Sequence, residues 1–283
     1  MYINLIENRR SVRSFKNVPI VENDLTLMND YLSELNQSQG PFGRRGEFKY
    51  IAVSNHINSE GQKIGTYGVI RNPAGYIVGI TKNERDFLID FGYTFEKFML
   101  QVLSLGLGTC WLGGTFDRKM LTEKFEKHSS HIIPAISPIG YHDEKPSLIE
   151  KTMRKIANSD QKMAFEEVFY LENFETPLVK SDAGIYEIPL EMVRIGPSAS
   201  NKQPWRLVLD RENRVHFFLS HTPNYSGKLM FDMQYLDIGI AMFHFQSALD
   251  EIGIKGDWCV IEGLQVPIDE PTTEYIMSWK IED

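Results

Sequence analysis

The chain has 283 residues, 42% of them hydrophobic and 24% charged, which suits one large or two smaller globular domains with ample core. Its formal net charge of -8 disfavours nucleic acid as a partner, although a local basic cluster can still hold a small phosphate. The first residues lack the apolar core of a signal peptide and no apolar run reaches membrane-spanning length. The two cysteines, Cys110 and Cys259, make neither a disulfide framework nor a zinc signature, so a reducing cytoplasm without a membrane partner is expected.

A short apolar start leads into residues 8–14, where Arg9, Arg10 and Arg13 surround the hydroxyl of Ser11. Guanidinium forks match phosphate oxygens, yet as a bare pattern this reads first as a solvated basic helix end. Leu25, Met28, Leu32 and Leu35 recur at helical spacing and predict an amphipathic helix over 24–35, broken by Gly40-Pro41-Phe42-Gly43. A strand is expected over 48–53. The runs 64–70 and 76–81 flank the turn Asn72-Pro73-Ala74-Gly75, and the second is read as a strand. Residues 85–105 predict a long apolar helix, with Phe91, Phe95, Phe98, Met99, Val102 and Leu103 as core. Gly106 and Gly108 stop it. Gly113-Gly114 then lets the backbone approach a ligand, because glycine has no Cβ. The run is not a dinucleotide fingerprint: Trp111 stands where the third glycine belongs, and a helix precedes it instead of a strand.

A short helix follows over 119–125, a strand over 132–141 and a charged helix over 147–157. His128 and His131 have no third ligand at a matching spacing and read as surface histidines, so no metal site is expected. A helix over 188–195 then meets Pro197-Ser198-Ala199-Ser200-Asn201-Lys202-Gln203-Pro204-Trp205. Two prolines prevent a helix from continuing, and the Ser and Asn side chains can fold back onto local backbone, which makes a rigid polar loop. Strands over 206–209 and 215–220, an apolar helix over 231–252 and a last strand over 275–281 complete the chain. The fold class is α+β, with mostly antiparallel sheets packed on long apolar helices.

Three of these stretches together resemble the nitroreductase family of FMN-dependent oxidoreductases: Arg9-Arg10-Ser11-Val12-Arg13, the glycine run ending at Gly113-Gly114, and the loop from Pro197 to Trp205. The resemblance implies FMN as cofactor, with Arg9, Arg10, Ser11 and Arg13 at the phosphate and ring edge. Arg13 becomes the cation beside the flavin N1 and C2 carbonyl. The backbone around Gly113 and Gly114 would face N5 and O4, and Pro197, Ser198, Ala199, Ser200 and Asn201 would form the flavin-facing loop. Lys162 resembles the family's later basic position, a second phosphate arm, with Lys151, Arg154 and Lys155 as competing candidates.

The two long helices match at a fixed offset: Asp90 with Asp237, Gly92 with Gly239, Phe98 with Phe245, Gly106 with Gly253 and Trp111 with Trp258. Matches in register point to a duplicated unit. Family members are usually intertwined homodimers, so the expectation is an intrachain pseudo-dimer: a first half over 1–172, a second over 173–283, one complete FMN site and a monomer in solution. The first half has Gly40-Pro41-Phe42-Gly43-Arg44-Arg45 in place of the Pro-Ser loop, and the second has Leu178-Val179-Lys180-Ser181 in place of the arginine motif. The implied activity is ping-pong hydride transfer from NAD(P)H through flavin to a small-molecule acceptor, such as a nitro compound or quinone, with no catalytic side chain. The alternatives are a non-catalytic flavin-binding or flavin-delivering protein, or other flavin chemistry such as flavin breakdown or dehalogenation.

Overall fold

The computed structural model describes residues 1–53, 65–124, 130–144, 161–225, 227, 229–264, 266 and 272–282. They fall into two compact units: Asn8–Asn158, and Met1–Glu7 together with Ser159–Asp283. Helix α1 (Tyr2–Asn8) opens the chain. The first unit continues with α2 (Glu22–Gln37), β1 (Glu47–Ala52), β2 (Gly75–Lys82), α3 (Arg85–Leu103), β3 (Leu107–Thr109), α4 (Arg118–Lys124), β4 (His131–Ile132) and β5 (Ile136–Tyr141). The second has α5 (Phe165–Val168), β6 (Phe169–Leu171), α6 (Glu187–Arg194), β7 (Trp205–Leu209), β8 (Arg214–Ser220), α7 (Gln234–Glu251), β9 (Gly256–Cys259) and β10 (Thr273–Ile281).

The first sheet runs β1-β2-β5-β3 with β4 beside β2, and its pairings are antiparallel. The second runs β6-β7-β8-β10-β9, with β6 parallel to β7 and the rest antiparallel. With β4 and β6 set aside, the two sheets have one order: β1, β2, β5, β3 correspond to β7, β8, β10, β9. The long helix enters at the same point in both, between the second and third strands of the chain order. The fold class is α+β.

Each long helix is the centre of its unit. Helix α3 buries Phe91, Phe95 and Phe98, and Phe48 and Trp111 pack edge-on or stacked against them. Helix α7 buries Phe245, which meets Tyr186, Phe217, Trp258 and Trp279. Burying one such ring contributes about 2–3 kcal/mol, so these clusters dominate the packing. Both helices end at a glycine in the left-handed region, Gly106 at φ 76° and Gly253 at φ 80°, where a Cβ would be strained.

The expected strand over 132–141 is two strands. Pro134 lies between them and has no N–H for a ladder, so β4 pairs with the end of β2 while β5 pairs with its start and with β3. Strand β6 was not expected; three residues are too short to show a period. The expected helix over 147–157, together with His128, Lys151, Arg154 and Lys155, lies outside the described residues. Among the described residues no helix is long and apolar enough to cross a membrane, and no group of His, Cys, Asp or Glu is arranged to hold a metal ion.

Candidate functional site

In the first unit, residues 11–15 run beside β3. Ser11 forms a parallel bridge with Thr109, and the Val12 N–H donates to the Thr109 carbonyl at 2.8 Å. Val12 is buried against Gly108, where a Cβ would come within 2.7 Å of the Val12 side chain. Glycine at 108 is therefore what lets the arginine segment lie this close to the sheet. The Arg71 N–H donates to the Arg13 carbonyl at 2.9 Å, and the Phe15 N–H returns to the Arg71 carbonyl at 3.0 Å. The backbone of the motif is thus fixed on both sides, which directs its side chains.

Those side chains differ in what they meet. The Arg9 Nε lies 3.8 Å from the carboxylate of Glu96, a fully buried residue that also accepts the Trp111 indole N–H at 2.7 Å. Arg10 lies 3.2 Å from His142 Nδ1. The Arg13 Nε is buried and has no hydrogen-bond partner among the described residues. A buried N–H of a guanidinium without an acceptor is costly, so this donor is one that an incoming acceptor would satisfy.

Gly113 and Gly114 follow Leu112, whose N–H and carbonyl both pair with Ile136 at 3.0 Å. The chain then leaves the sheet. Arg118, not singled out from the sequence, holds this turn: it donates to the carbonyls of Gly113, Ile133 and Pro134 and lies over the Phe116 ring. Burial pushes its pKa below the ordinary arginine value. A Cβ built on Gly114 meets nothing within 4 Å among the described residues.

In the second unit the Pro197 loop leaves α6 and makes a single turn over Ala199–Asn201. Ser200, Asn201 and Gln203 sit at φ 51°, 54° and 49°, a region that side chains with a Cβ rarely adopt. Several bonds hold that shape. The Gln203 N–H donates to Ser198 Oγ at 2.8 Å, and the Met163 N–H donates to Gln203 Oε1 at 2.9 Å. The Tyr225 hydroxyl donates to Ser200 Oγ at 2.9 Å. Lys162 is brought to this loop: its Nζ donates to the Gly196 carbonyl at 2.6 Å and to Asn201 Oδ1 at 3.0 Å.

An aspartate at the start of each long helix holds the loop of its own unit. Asp90 accepts the Phe42 N–H at 3.0 Å on one oxygen and the Arg44 N–H at 2.7 Å on the other. Asp237 accepts the Ala199 N–H at 3.0 Å on one oxygen, and its other oxygen is buried without a partner among the described residues. Burial raises the Asp90 pKa to about 7 against its two backbone donors. Burial likewise raises that of Asp237 well above the usual carboxylate range. The identities matched between the helices are visible in the sequence, but the loop-holding role of these aspartates is not. Lys180, in the segment expected to stand in place of the arginine motif, is 3.4 Å from Glu191.

A family model described as "Putative TM nitroreductase" matches residues 2–249. The chain belongs to this nitroreductase family. A Thermotoga maritima protein described as "a putative nitroreductase" has the same fold, with a TM-score of 0.60 at 18% identity, over 98% of this chain and 92% of its own. A nitroreductase family protein from Clostridium difficile 630 matches at 17% identity and TM-score 0.41, covering 55% of this chain and 92% of its own. An FMN-dependent nitroreductase from Clostridium difficile R20291 matches at 23% identity and TM-score 0.39, covering 51% and 90%. No curated protein matches the sequence. The nitroreductase-like α+β fold anticipated from the motifs is the one observed, and the family makes the chain a nitroreductase-type oxidoreductase.

Proposed function

We propose that this nitroreductase binds FMN and oxidises NAD(P)H, passing the electrons to a small electron-poor acceptor such as a nitro compound or quinone. The observation that carries the reading is the buried Nε of Arg13, without a partner among the described residues, within the arginine segment that the family resemblance assigns to the flavin. Two further features fit an acceptor-rich flat ring and a phosphate. Among the described residues, no hydrogen bond from the Gly113 or Gly114 N–H is made, and none fills the space a Cβ on Gly114 would take. Ser198, Ser200 and Asn201 add polar side chains on a loop held by bonds from Tyr225, Lys162 and its own Gln203 N–H.

Bound FMN would supply two-electron transfer, taking hydride from a nicotinamide and giving the electrons to the acceptor. The chain's part is to bind and orient. Arg9, Arg10 and Ser11 are assigned to the phosphate side and Arg13 to the carbonyl edge of the ring, where preorganised positive charge favours added electron density. The Gly113 and Gly114 N–H groups and the segment from Pro197 to Asn201 are assigned to fixing the ring. No side chain is assigned as acid or base. The matched helices and the missing counterpart motifs support the reading of an internal pseudo-dimer with one complete flavin site and a monomer in solution. A reducing cytoplasm suits the two free thiols, Cys110 and Cys259.

The test is the visible spectrum of the purified chain, with released flavin quantified. Close to one FMN per chain, bleached by NADH or NADPH and restored by acceptor, supports the reading. A colourless protein that also refuses added FMN overturns it, and flavin near two per chain overturns the single-site part. Flavin that no nicotinamide reduces leaves a binding protein instead of an enzyme. Arg13→Ala is expected to lower flavin occupancy or slow turnover about ten-fold or more; unchanged occupancy and rate would remove Arg13 from the site.

A further inference from the structure

We propose that Lys162 is a positioning residue for the Pro197 loop: its ammonium clamps the loop across its two ends and so sets the edge the loop presents to bound flavin, without touching the flavin phosphate. This rests on the flavin reading above. The Lys162 Nζ reaches the Gly196 carbonyl at one end of the loop at 2.6 Å and Asn201 Oδ1 at the other at 3.0 Å. Both are charge-assisted bonds, stronger than neutral ones. The clamp is reinforced by its neighbours. Asn201 Nδ2 donates to the Gln161 carbonyl at 2.7 Å, and the Met163 N–H donates to Gln203 Oε1 at 2.9 Å. Residues 161–163 are therefore stitched along the loop, and Lys162 supplies the charge among those bonds.

The loop needs such a clamp. Ser200, Asn201 and Gln203 all have left-handed backbone, and only Asn among them is a frequent occupant of that region. Without external bonds the loop would relax toward commoner backbone conformations. The loop of the first unit shows the contrast. Asp90 fixes it through two backbone N–H groups, and Gln39 Nε2 donates to the Gly43 carbonyl at 2.8 Å. There the only left-handed residue is a glycine, Gly43, at φ 72°. In the second unit Asp237 holds a single N–H, and the Asn201 N–H that would correspond to Arg44 is bonded instead to the Ser198 carbonyl at 3.0 Å. The second anchor supplied by Asp90 is missing, and Lys162 stands in for it.

The test uses the full chain with Lys162→Met and Lys162→Arg. Hydrogen exchange of the Asn201 and Lys202 amides in flavin-free protein is expected to accelerate about ten-fold in Lys162→Met, with β7 and β8 unchanged, and to be partly restored in Lys162→Arg. FMN and riboflavin, which lacks the phosphate, are expected to bind more weakly by the same factor, about ten-fold, and the visible band of bound flavin to shift. Unchanged exchange overturns the clamp. A weakening confined to FMN overturns it in favour of a phosphate contact. If the parent protein binds neither flavin, the functional reading fails by itself while the exchange result still decides whether Lys162 holds the loop. Should Lys162→Met not fold, Lys162→Gln, which keeps a neutral donor, carries the same measurements.

Discussion

The two loops held at the starts of the long helices perform one structural task with different means. Gly40 to Arg44 is anchored through both oxygens of Asp90, with its one left-handed position occupied by glycine. The loop around Ala199 is anchored through one oxygen of Asp237, carries three strained residues with side chains, and gains its other bonds from Lys162, Ser198 and Tyr225. The first arrangement is a backbone turn satisfied by one carboxylate. The second exposes hydroxyl and amide side chains in a fixed geometry, at a cost in backbone strain of about 1–3 kcal/mol per residue. Strain of this kind is maintained where a surface has work to do, and it falls on the loop assigned here to the flavin.

The sharpest way to break the comparison is to remove the aspartates. Asp90→Ala leaves two N–H groups unpaired, so the first unit is expected to lose about 2–5 kcal/mol in urea unfolding. A loss below that of Asp237→Ala would refute the unequal anchoring. The pH dependence comes next. The Asp90 pKa lies at about 7 when folded against 3.8 for the free group. Its contribution to stability is therefore full below about pH 4 and is lost as the pH rises through about 7. The first unit should weaken over that window by up to roughly 4 kcal/mol, and Asp90→Asn should flatten the slope. Asp237→Ala leaves one N–H unpaired but also removes a poorly satisfied buried carboxyl, so about 1–2 kcal/mol is expected. Smallest are Gly106→Ala and Gly253→Ala, each about 1 kcal/mol, and nearly equal because the two glycines close their helices in the same way. Clearly different values would show that the two helix ends are not equivalent.

Much of the fold was legible in the sequence because its signals are local. The helices α2, α3, α6 and α7 follow apolar periodicity, and the Pro197 loop follows from prolines that no helix or central strand tolerates. The matched Asp, Gly and Trp pairs were visible as identities, and two have equivalent places in the structure: the aspartates under the loops and the glycines ending the helices. What could not be read depends on partners far along the chain. Pro134 splits a strand only because β4 and β5 find partners at different ends of β2. The bond from Lys162 to Asn201 spans 39 positions, and that from Asp90 to Phe42 spans 48. Arg118 looks like any charged helix residue until the Gly113 carbonyl is placed beside it.

Helix α1 is made long before the helix it packs against. Its Ile3 N–H donates to Glu251 at a separation of 248 positions, its amino terminus pairs with the same carboxylate, and Tyr2 lies edge-on to Phe243. On the ribosome these residues must wait for helix α7, whose Glu251 lies 248 positions after Ile3, to emerge. A closure over such a distance carries an entropic cost before any contact rewards it. The same lock rules out a simple dissection. A fragment beginning at Ser159 would lack a helix of its own unit, and only a circular permutant that rejoins residues 1–7 to it would restore the piece as nature packs it.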